Sequence, residues 1–368
     1  MKLLFVSSTC SKKKYNYVYS IRNSRKLDPS QNFFSLVVTG LIKNSNVNLT
    51  CLTALPVSRS TTNIKYFKNE KECTNNNLTY KYLGFCNGKF LRYITLSIST
   101  IISTIKWIYR NRKDHNKALI CDPLVFMCSK PARILCSLFN IMTFAIVTDI
   151  PSLSTNMKLK KSRIRKLLEG CFESYSDKDV RKYDGYIFLT ESMNELINLD
   201  NKTYMIMEGI VDLSQCNKIQ VNSNQKAIKI VMYAGGVYEK YGIKNLVEAF
   251  KLINIPNTEL HIYGDGAFVK ELGEIYKIYN RIRYMGILPT DEIVKRYSFP
   301  SKTVEYMASG TPLLTTRLAG IPDEYNNYLF WFEKEDVESM ADKIIEVLSL
   351  SEDELNKFGQ RARDFVLN

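Results

Sequence analysis

The densest group of chemically useful side chains runs from Tyr297 to Pro312, in YSFPSKTVEYMASGTP. Pro300-Ser301-Lys302 reads as the opening of a short helix, whose free N–H groups and positive dipole end can hold a phosphate. Lys302 adds a point charge there, with Thr303 in the same turn. Glu305 stands three residues further on and thus on a neighbouring face. A carboxylate at that depth can accept from two vicinal hydroxyls of a ribose. Gly310 then supplies a left-handed stop before a buried strand. The same residues also suit a capped surface helix carrying an intrahelical Lys–Glu pair.

Two more turns have the right composition. In YAGGVYEKYG (233–242) a strand meets Gly235-Gly236, with Lys240 nearby. Tyr263-Gly264-Asp265-Gly266 again follows a strand and precedes a helix. Glycines at the carboxyl end of a strand let a ligand approach the backbone, which is where α/β sheets bind ligands. Each turn alone is equally a tight structural corner. Together with the 300–303 helix start they form a set that a wound sheet brings to one edge.

Other candidates are less sharply defined. Asp149 ends MTFAIVTD and is either a site residue at the floor of a crevice or a turn cap. The nine residues 158–166 hold six cations, Lys158, Lys160, Lys161, Arg163, Arg165 and Lys166, with Leu159 and Ile164 between them. That run suits either a solvated face or docking on anionic lipid. Asp177-Lys178-Asp179 has the spacing of a metal-binding acid pair, but it opens a helix-like segment instead of ending a strand, so no metal site is expected. With two His in the chain, at 115 and 261, a catalytic imidazole is not expected, and neither a Ser/His/Asp triad nor a Walker loop is evident.

Which elements hold these residues? The chain has 368 residues, 45% hydrophobic and 24% charged, which fits about two domains and excludes disorder. Nine scattered Cys without a CxxC pair fit a reducing cytoplasm better than a structural zinc or a stapled secreted fold. The opening apolar run LLFVSS is too short for a signal peptide and reads as a first strand. Residues 1–210 carry 32 Lys and Arg against 15 Asp and Glu, whereas residues 211–368 carry 19 against 22. The basic half is expected to face something anionic.

Strands are expected at 2–7, 47–53, 78–83, 118–122, 142–149 and 186–191, separated by helices, with a loop over 58–77. Phe90 to Arg112 shows Ile94, Ile98, Ile101, Ile102, Ile105, Ile108 and Tyr109 at helical spacing. One stripe on a helix is too little for a membrane span. It reads as a helix packed by that stripe on a sheet, with an interfacial membrane helix as the alternative. The second half repeats the grammar, with strands at 229–235, 259–264, 282–286, 311–316 and 328–332 and closing helices at 336–349 and 352–366. Between Arg296 and Tyr297 the wound topology wants about 15 more residues than the sequence has, either a deletion or an omitted stretch. Strand–helix alternation of this kind argues for parallel sheets covered on both faces.

KIVMYAGGVYEKYGIKNLVEAF, ELHIYGDG, RYMGILPTDEI and FPSKTVEYMASGTPLLTT resemble the nucleotide-sugar half of glycosyltransferase family four. More narrowly, they resemble its bacterial capsular and exopolysaccharide members. The match is dense over about 228–316 and looser in VTDIP, FLTESMNELI and MEGIVD of the first half. It implies the α/β GT-B fold, two Rossmann-like doubly wound parallel-sheet domains facing a central cleft. The expected parts are an acceptor domain at 1–210, a donor domain at 211–350 and a closing helix at 351–368.

By the same resemblance, Glu305 holds the ribose, and the Ser301–Thr303 backbone with Lys302 takes the diphosphate. Gly235 and Gly236 flank that diphosphate, Gly264, Asp265, Gly266 and on to Phe268 line the nucleobase pocket with Ile287, and Asp149 meets the reacting sugar or acceptor. The chain also departs from the family pattern. Gly236 replaces a common Arg, Lys240 is displaced by one place, Tyr297 stands where the first acid of a glutamate pair is expected, and SSTCSKKK replaces a glycine-rich loop.

The implied activity is a retaining, metal-independent transfer, without cofactor, from a nucleoside-diphosphate sugar, UDP-linked by preference, to a lipid-linked saccharide. Its setting would be the cytoplasmic face of the cell membrane in surface-polysaccharide assembly, beside other assembly enzymes, with no nucleic acid. Two alternatives stay open, a catalytically inactive GT-B partner subunit and a nucleic-acid-binding protein.

Overall fold

KLLFVS (Lys2–Ser7, β1) carries apolar side chains on both faces and is buried from Leu3 to Ser7. A strand in the middle of a covered parallel sheet must look like this. The structure, a computed structural model, describes residues 1–23, 29–88, 90–149, 178–211, 228–286, 302–318 and 320–367. The chain forms two compact units, Met1–Glu208 and Gly209–Asn368.

In the first unit β1 is followed by α1 (Lys12–Ser20), α2 (Pro29–Lys43) and β2 (Asn48–Thr53). Four strands come next: β3 (Tyr66–Phe67), β4 (Glu70–Asn75), β5 (Leu78–Tyr82) and β6 (Phe85–Cys86). Then follow α3 (Leu91–Arg110), β7 (Lys117–Cys121), α4 (Phe126–Leu138) and β8 (Met142–Val147). β9 (Gly185–Phe188), α5 (Glu191–Ile197) and β10 (Thr203–Ile206) complete the unit. Eight strands lie in the order β10-β9-β8-β7-β1-β2-β5-β4. All pairs are parallel except β4 with β5. The winding therefore reverses between β1 and β7, the kind of place where an open α/β sheet leaves a crevice for a ligand.

Three expectations need correction. SSTCSKKK leaves β1 at Ser7 and already enters a helix at Lys12, because Ser11 caps α1 by accepting from the Lys14 amide at 3.1 Å. The stretch 58–77 is not all loop: β4 adds an antiparallel edge to the main sheet, and β3 pairs with β6. The third concerns α3. It does pack, against α4, but through Leu96, Ser99, Thr100, Thr104, Trp107 and Ile108. Of the predicted stripe only Ile108 is buried, and Ile94, Ile98, Ile101, Ile102, Ile105 and Tyr109 are exposed. Hydroxyls make the buried face workable. Thr100 Oγ1 donates to the Leu96 carbonyl, Ser97 Oγ to the Met127 carbonyl of α4, and Ser99 Oγ to Asn69 Oδ1.

The second unit runs β11 (Lys229–Ala234), α6 (Ile243–Leu252), β12 (Thr258–Tyr263), α7 (Val269–Ile278) and β13 (Ile282–Gly286). It continues with α8 (Lys302–Ala308), β14 (Leu314–Thr316), β15 (Phe330–Phe332), α9 (Val337–Ser349) and α10 (Glu352–Leu367). β11, β12 and β13 form a parallel three-stranded sheet in that order, and β14 pairs in parallel with β15. Val247, Phe250, Leu260, Ile262, Ile344 and Leu348 belong to its core. A second cluster joins Met307 of α8 to Tyr325, Trp331 and Ala362 of α10. The junction at Arg296–Tyr297 lies outside the described residues.

Candidate functional site

In the second unit the turns after β11 and β12 are built on one another. An added Cβ at Gly264 would lie 1.8 Å from the Gly235 carbonyl oxygen, and one at Gly266 would lie 2.0 Å from that of Val237. Gly264 also has φ +134°, a conformation that side chains resist. These two glycines are thus required by backbone packing whatever else they do. The sheet ladder continues through them, since Gly235 N–H donates to Tyr263 O and Val237 N–H to Asp265 O, both at 3.0 Å. Gly236 differs: its nearest obstacles are the Tyr241 and Tyr238 rings, at 2.9 and 3.2 Å.

Three tyrosine hydroxyls fasten this edge. Tyr233 Oη donates to the Gly236 carbonyl at 2.9 Å, and Tyr284 Oη to the Gly264 carbonyl at 2.8 Å. Tyr306 Oη reaches from α8 to the Ala234 carbonyl at 3.3 Å and so ties that helix to the end of β11. Burial pushes the Tyr233 phenol up to about 12, with Tyr241 adding to it, so it stays a donor at neutral pH. Burial also raises Tyr284, with the Asp265 carboxylate as second cause. None of the three hydroxyls stands out in the sequence, although all lie inside the motifs quoted above. Tyr233 is next to the end of β11, Tyr284 is in the middle of β13 and Tyr306 is one turn inside α8, positions that look like ordinary core aromatics.

α8 carries Thr303 and Glu305 in its first turn, both half-buried. Its far end is held by α10. Gly310 at φ +76° ends the helix, and a Cβ at Gly359 of α10 would lie 1.9 Å from the Gly310 carbonyl oxygen. Arg363 of α10 donates to the Ala308 carbonyl. Lys302 is the first residue of α8, but its side chain lies outside the described residues, as do Ser301 and Ile287. The Lys240 ammonium lies 4.6 Å from the Tyr241 ring centre and 5.8 Å from that of Tyr238, on the exposed rim beside Gly236. Asp265 is exposed and contributes its carbonyl to the ladder. Phe268 is buried in the hydrophobic core, which removes its side chain from the proposed nucleobase lining.

In the first unit Asp149 is exposed just beyond β8. Lys158, Lys160, Lys161, Arg163, Arg165 and Lys166 all lie outside the described residues. Asp179 is buried and receives a 2.7 Å hydrogen bond from Arg133 Nη2, so it is occupied by an ion pair. Asp177 is outside the described residues.

Where a glycine-rich loop is absent, side chains hold the loop after β1. Gln31 exchanges two hydrogen bonds with the Cys10 backbone, at 2.7 and 2.8 Å. Thr53 donates to the Thr9 carbonyl, and Ser11 and Tyr82 both donate to Glu72. Asp122, not singled out from sequence, is buried just beyond β7, where the winding reverses, and accepts from the Leu124 amide.

Two units of parallel-sheet α/β structure define the class: this is the fold of the GT-B glycosyltransferases. Residues 215–365 match the model of the family described as glycosyl transferases group 1. Among solved structures, the sucrose-phosphate synthase of Thermosynechococcus elongatus matches with TM-score 0.67 at 12% identity, over 100% of this chain and 94% of that one. The alpha,alpha-trehalose 6-phosphate synthase of Burkholderia multivorans matches with TM-score 0.62 at 12% identity, over 99% and 92%. An Anabaena protein, HepE, solved in complex with UDP and glucose, matches with TM-score 0.59 at 12% identity, over 100% and 94%. No curated protein matches the chain at the sequence level.

Proposed function

We propose that the protein is a retaining glycosyltransferase that moves a sugar from a nucleoside-diphosphate donor to a lipid-linked saccharide. UDP is the first carrier to test, and capsule or exopolysaccharide assembly at the inner face of the cell membrane is the proposed setting. One observation carries the proposal. The Tyr306 bond to Ala234 fastens α8, with Thr303 and Glu305 in its first turn, beside the glycine turn at the carboxyl end of β11. The family match over 215–365 supports it, and so does the UDP-bound HepE as a fold relative.

In this proposal Glu305 accepts from the ribose hydroxyls, while the 301–303 backbone and Lys302 receive the diphosphate. Gly235 and Gly236 leave room beside it, and Lys240 adds positive charge at the rim. The bond from the anomeric carbon to phosphate oxygen breaks, and a bond to the acceptor oxygen forms on the same face. The departing phosphate oxygen takes the acceptor's proton, so no separate base is required. Negative charge grows on the diphosphate as the bond breaks, and a helix end with lysines stabilises it where stabilisation counts most. Metal independence follows from the same design, since the lysines and the helix end do the work a divalent cation would do.

Calorimetry with UDP tests the ribose role. Glu305→Ala should weaken UDP by about tenfold or more, the worth of a charged hydrogen-bond pair. Unchanged affinity would refute it. Lys302→Ala should lower turnover by about a hundredfold or more with UDP still bound. Donor hydrolysis without acceptor should be detectable in the parent protein, and its absence would favour an inactive partner subunit.

A further inference from the structure

The face that α3 turns to solvent is the unusual surface of the first unit. Ile94, Ile98, Ile101 and Ile105 line up at helical spacing, with Leu91, Ile102 and Tyr109 beside them. All are exposed, Ile94 at 56%, Ile98 at 51% and Tyr109 at 65%. Phe90 and Tyr93 extend the row at its start. At about 1.5 Å per residue the stripe is roughly 27 Å long. Single exposed apolar residues are ordinary on a soluble surface, whereas a continuous row of this length marks something that covers it.

The charges around the stripe are of one sign. No acid occurs between Phe90 and Lys113, a stretch holding Arg92, Lys106, Arg110, Arg112 and Lys113. Lys106 and Arg110 are exposed along one flank of the stripe. On the neighbouring sheet edge Lys71 of β4 stands directly across from Lys81 of β5. Like charges at such a pair destabilise a sheet. The Lys81 ammonium is pushed down to about 8, first by burial and then by Arg110, Lys71 and Lys106. Four cations are therefore held together at a cost to the fold, which is sensible if an anion completes them.

We propose that this face docks on an anionic membrane, with the isoleucine row of α3 at the boundary of headgroups and acyl chains. Lys71, Lys81, Lys106 and Arg110 then meet lipid phosphates. An amphipathic surface of this kind binds by buried apolar area plus attraction to anionic lipid. A second copy of the chain fits less well, because a two-fold contact through the stripe brings the same cations of both copies together. Nucleic acid would gain nothing from a row of isoleucines. The proposal rests on the proposed function for why a membrane should be near, and not on the donor chemistry.

The test is co-sedimentation of the full chain with vesicles of phosphatidylcholine mixed with phosphatidylglycerol, and with phosphatidylcholine alone. The parent should partition onto the mixed vesicles only. Ile98→Ser with Ile105→Ser, and separately Lys106→Glu with Arg110→Glu, should each lower that partition about tenfold or more. All four substituted residues face solvent, and a thermal melt with and without UDP confirms that the variants keep the fold. Loss of the UDP shift in every protein would sink the donor assignment and leave the vesicle result to be judged alone. Parent-like sedimentation of both variants overturns the docking face. So does loss of binding only on neutralising Lys158, Lys160 and Lys161, which would move the membrane contact to that run. A dimer in sedimentation velocity that the isoleucine variant dissolves, with no vesicle binding by the parent, overturns it in favour of self-association.

Discussion

A methyl group at position 264 cannot be accommodated: it would overlap the Gly235 carbonyl at 1.8 Å, on a backbone at φ +134°. Gly236 faces only the rim rings of Tyr241 and Tyr238, and Tyr241 is 53% exposed and able to swing aside. The two glycines look alike in sequence, yet they make opposite demands. Gly264→Ala should cost about 3 kcal/mol or more in denaturant unfolding, since both strain and overlap act. Gly236→Ala should cost under about 1 kcal/mol and should instead weaken UDP, because it adds bulk where the diphosphate is proposed to lie. Chemical denaturation and calorimetry on the two variants separate these outcomes, and a Gly236 variant with full UDP affinity would remove that glycine from the site. Sequence could name both positions because glycines at strand ends are conspicuous. It could not rank them, since what separates 264 from 236 is the Gly235 carbonyl packed against it from another strand end.

Among the elements, those with a strong internal signal were legible and those defined by a partner were not. β1, β7 and β8 are short apolar runs and β12 alternates buried with half-buried residues, and each is found within a residue or two of its expected place. α1 is not legible because its start depends on a cap at Ser11 and its face is largely polar. β4 is not legible because an edge strand of Glu, Lys, Cys, Thr and Asn has no alternation to read. α3 is legible as a helix but not in its orientation: the isoleucine row has the spacing of a core stripe, whereas Trp107 and small hydroxyl residues form the buried face of the helix that packs on α4. Periodicity reports that a helix has two faces; it does not say which one the rest of the chain will cover.

The inverted face leaves a measurable trace at Lys81. Its ordinary value of 10.5 falls to about 8 in the fold. Between these values the unfolded chain binds more protons at this position than the native one, so this lysine makes stability rise with pH across about 8 to 10.5. Lys81→Met should flatten that rise and stabilise the protein at pH 7 by about 1 kcal/mol, less than the whole shift because the side chain reaches solvent. Thermal melts of parent and variant from pH 7 to about 10.5 check this. A variant less stable than the parent at pH 7 would mean that the cation cluster is already compensated.

Over the whole chain, charge and fold are divided along the same line. Residues 1–208 hold 32 Lys and Arg against 15 acids, and residues 209–368 hold 19 against 22. Among the described residues no helix is long and apolar enough to cross a membrane, and the bilayer contact proposed here is made by a surface. A field set by many exposed cations extends only about a Debye length, roughly 10 Å at 0.1 M salt and 3 Å at 1 M. Contacts made by a few groups at close range, such as those proposed at Glu305 and the 301–303 turn, are screened far less. Raising salt from about 0.1 M to 1 M should therefore lower partition onto anionic vesicles by about tenfold or more, while UDP affinity changes by less than about threefold. Vesicle sedimentation and UDP calorimetry in matched buffers measure the two. If both fell together, the nucleotide would be held by the long-range field of the basic unit and not by the second unit's own turns, and the division of labour proposed here would fail.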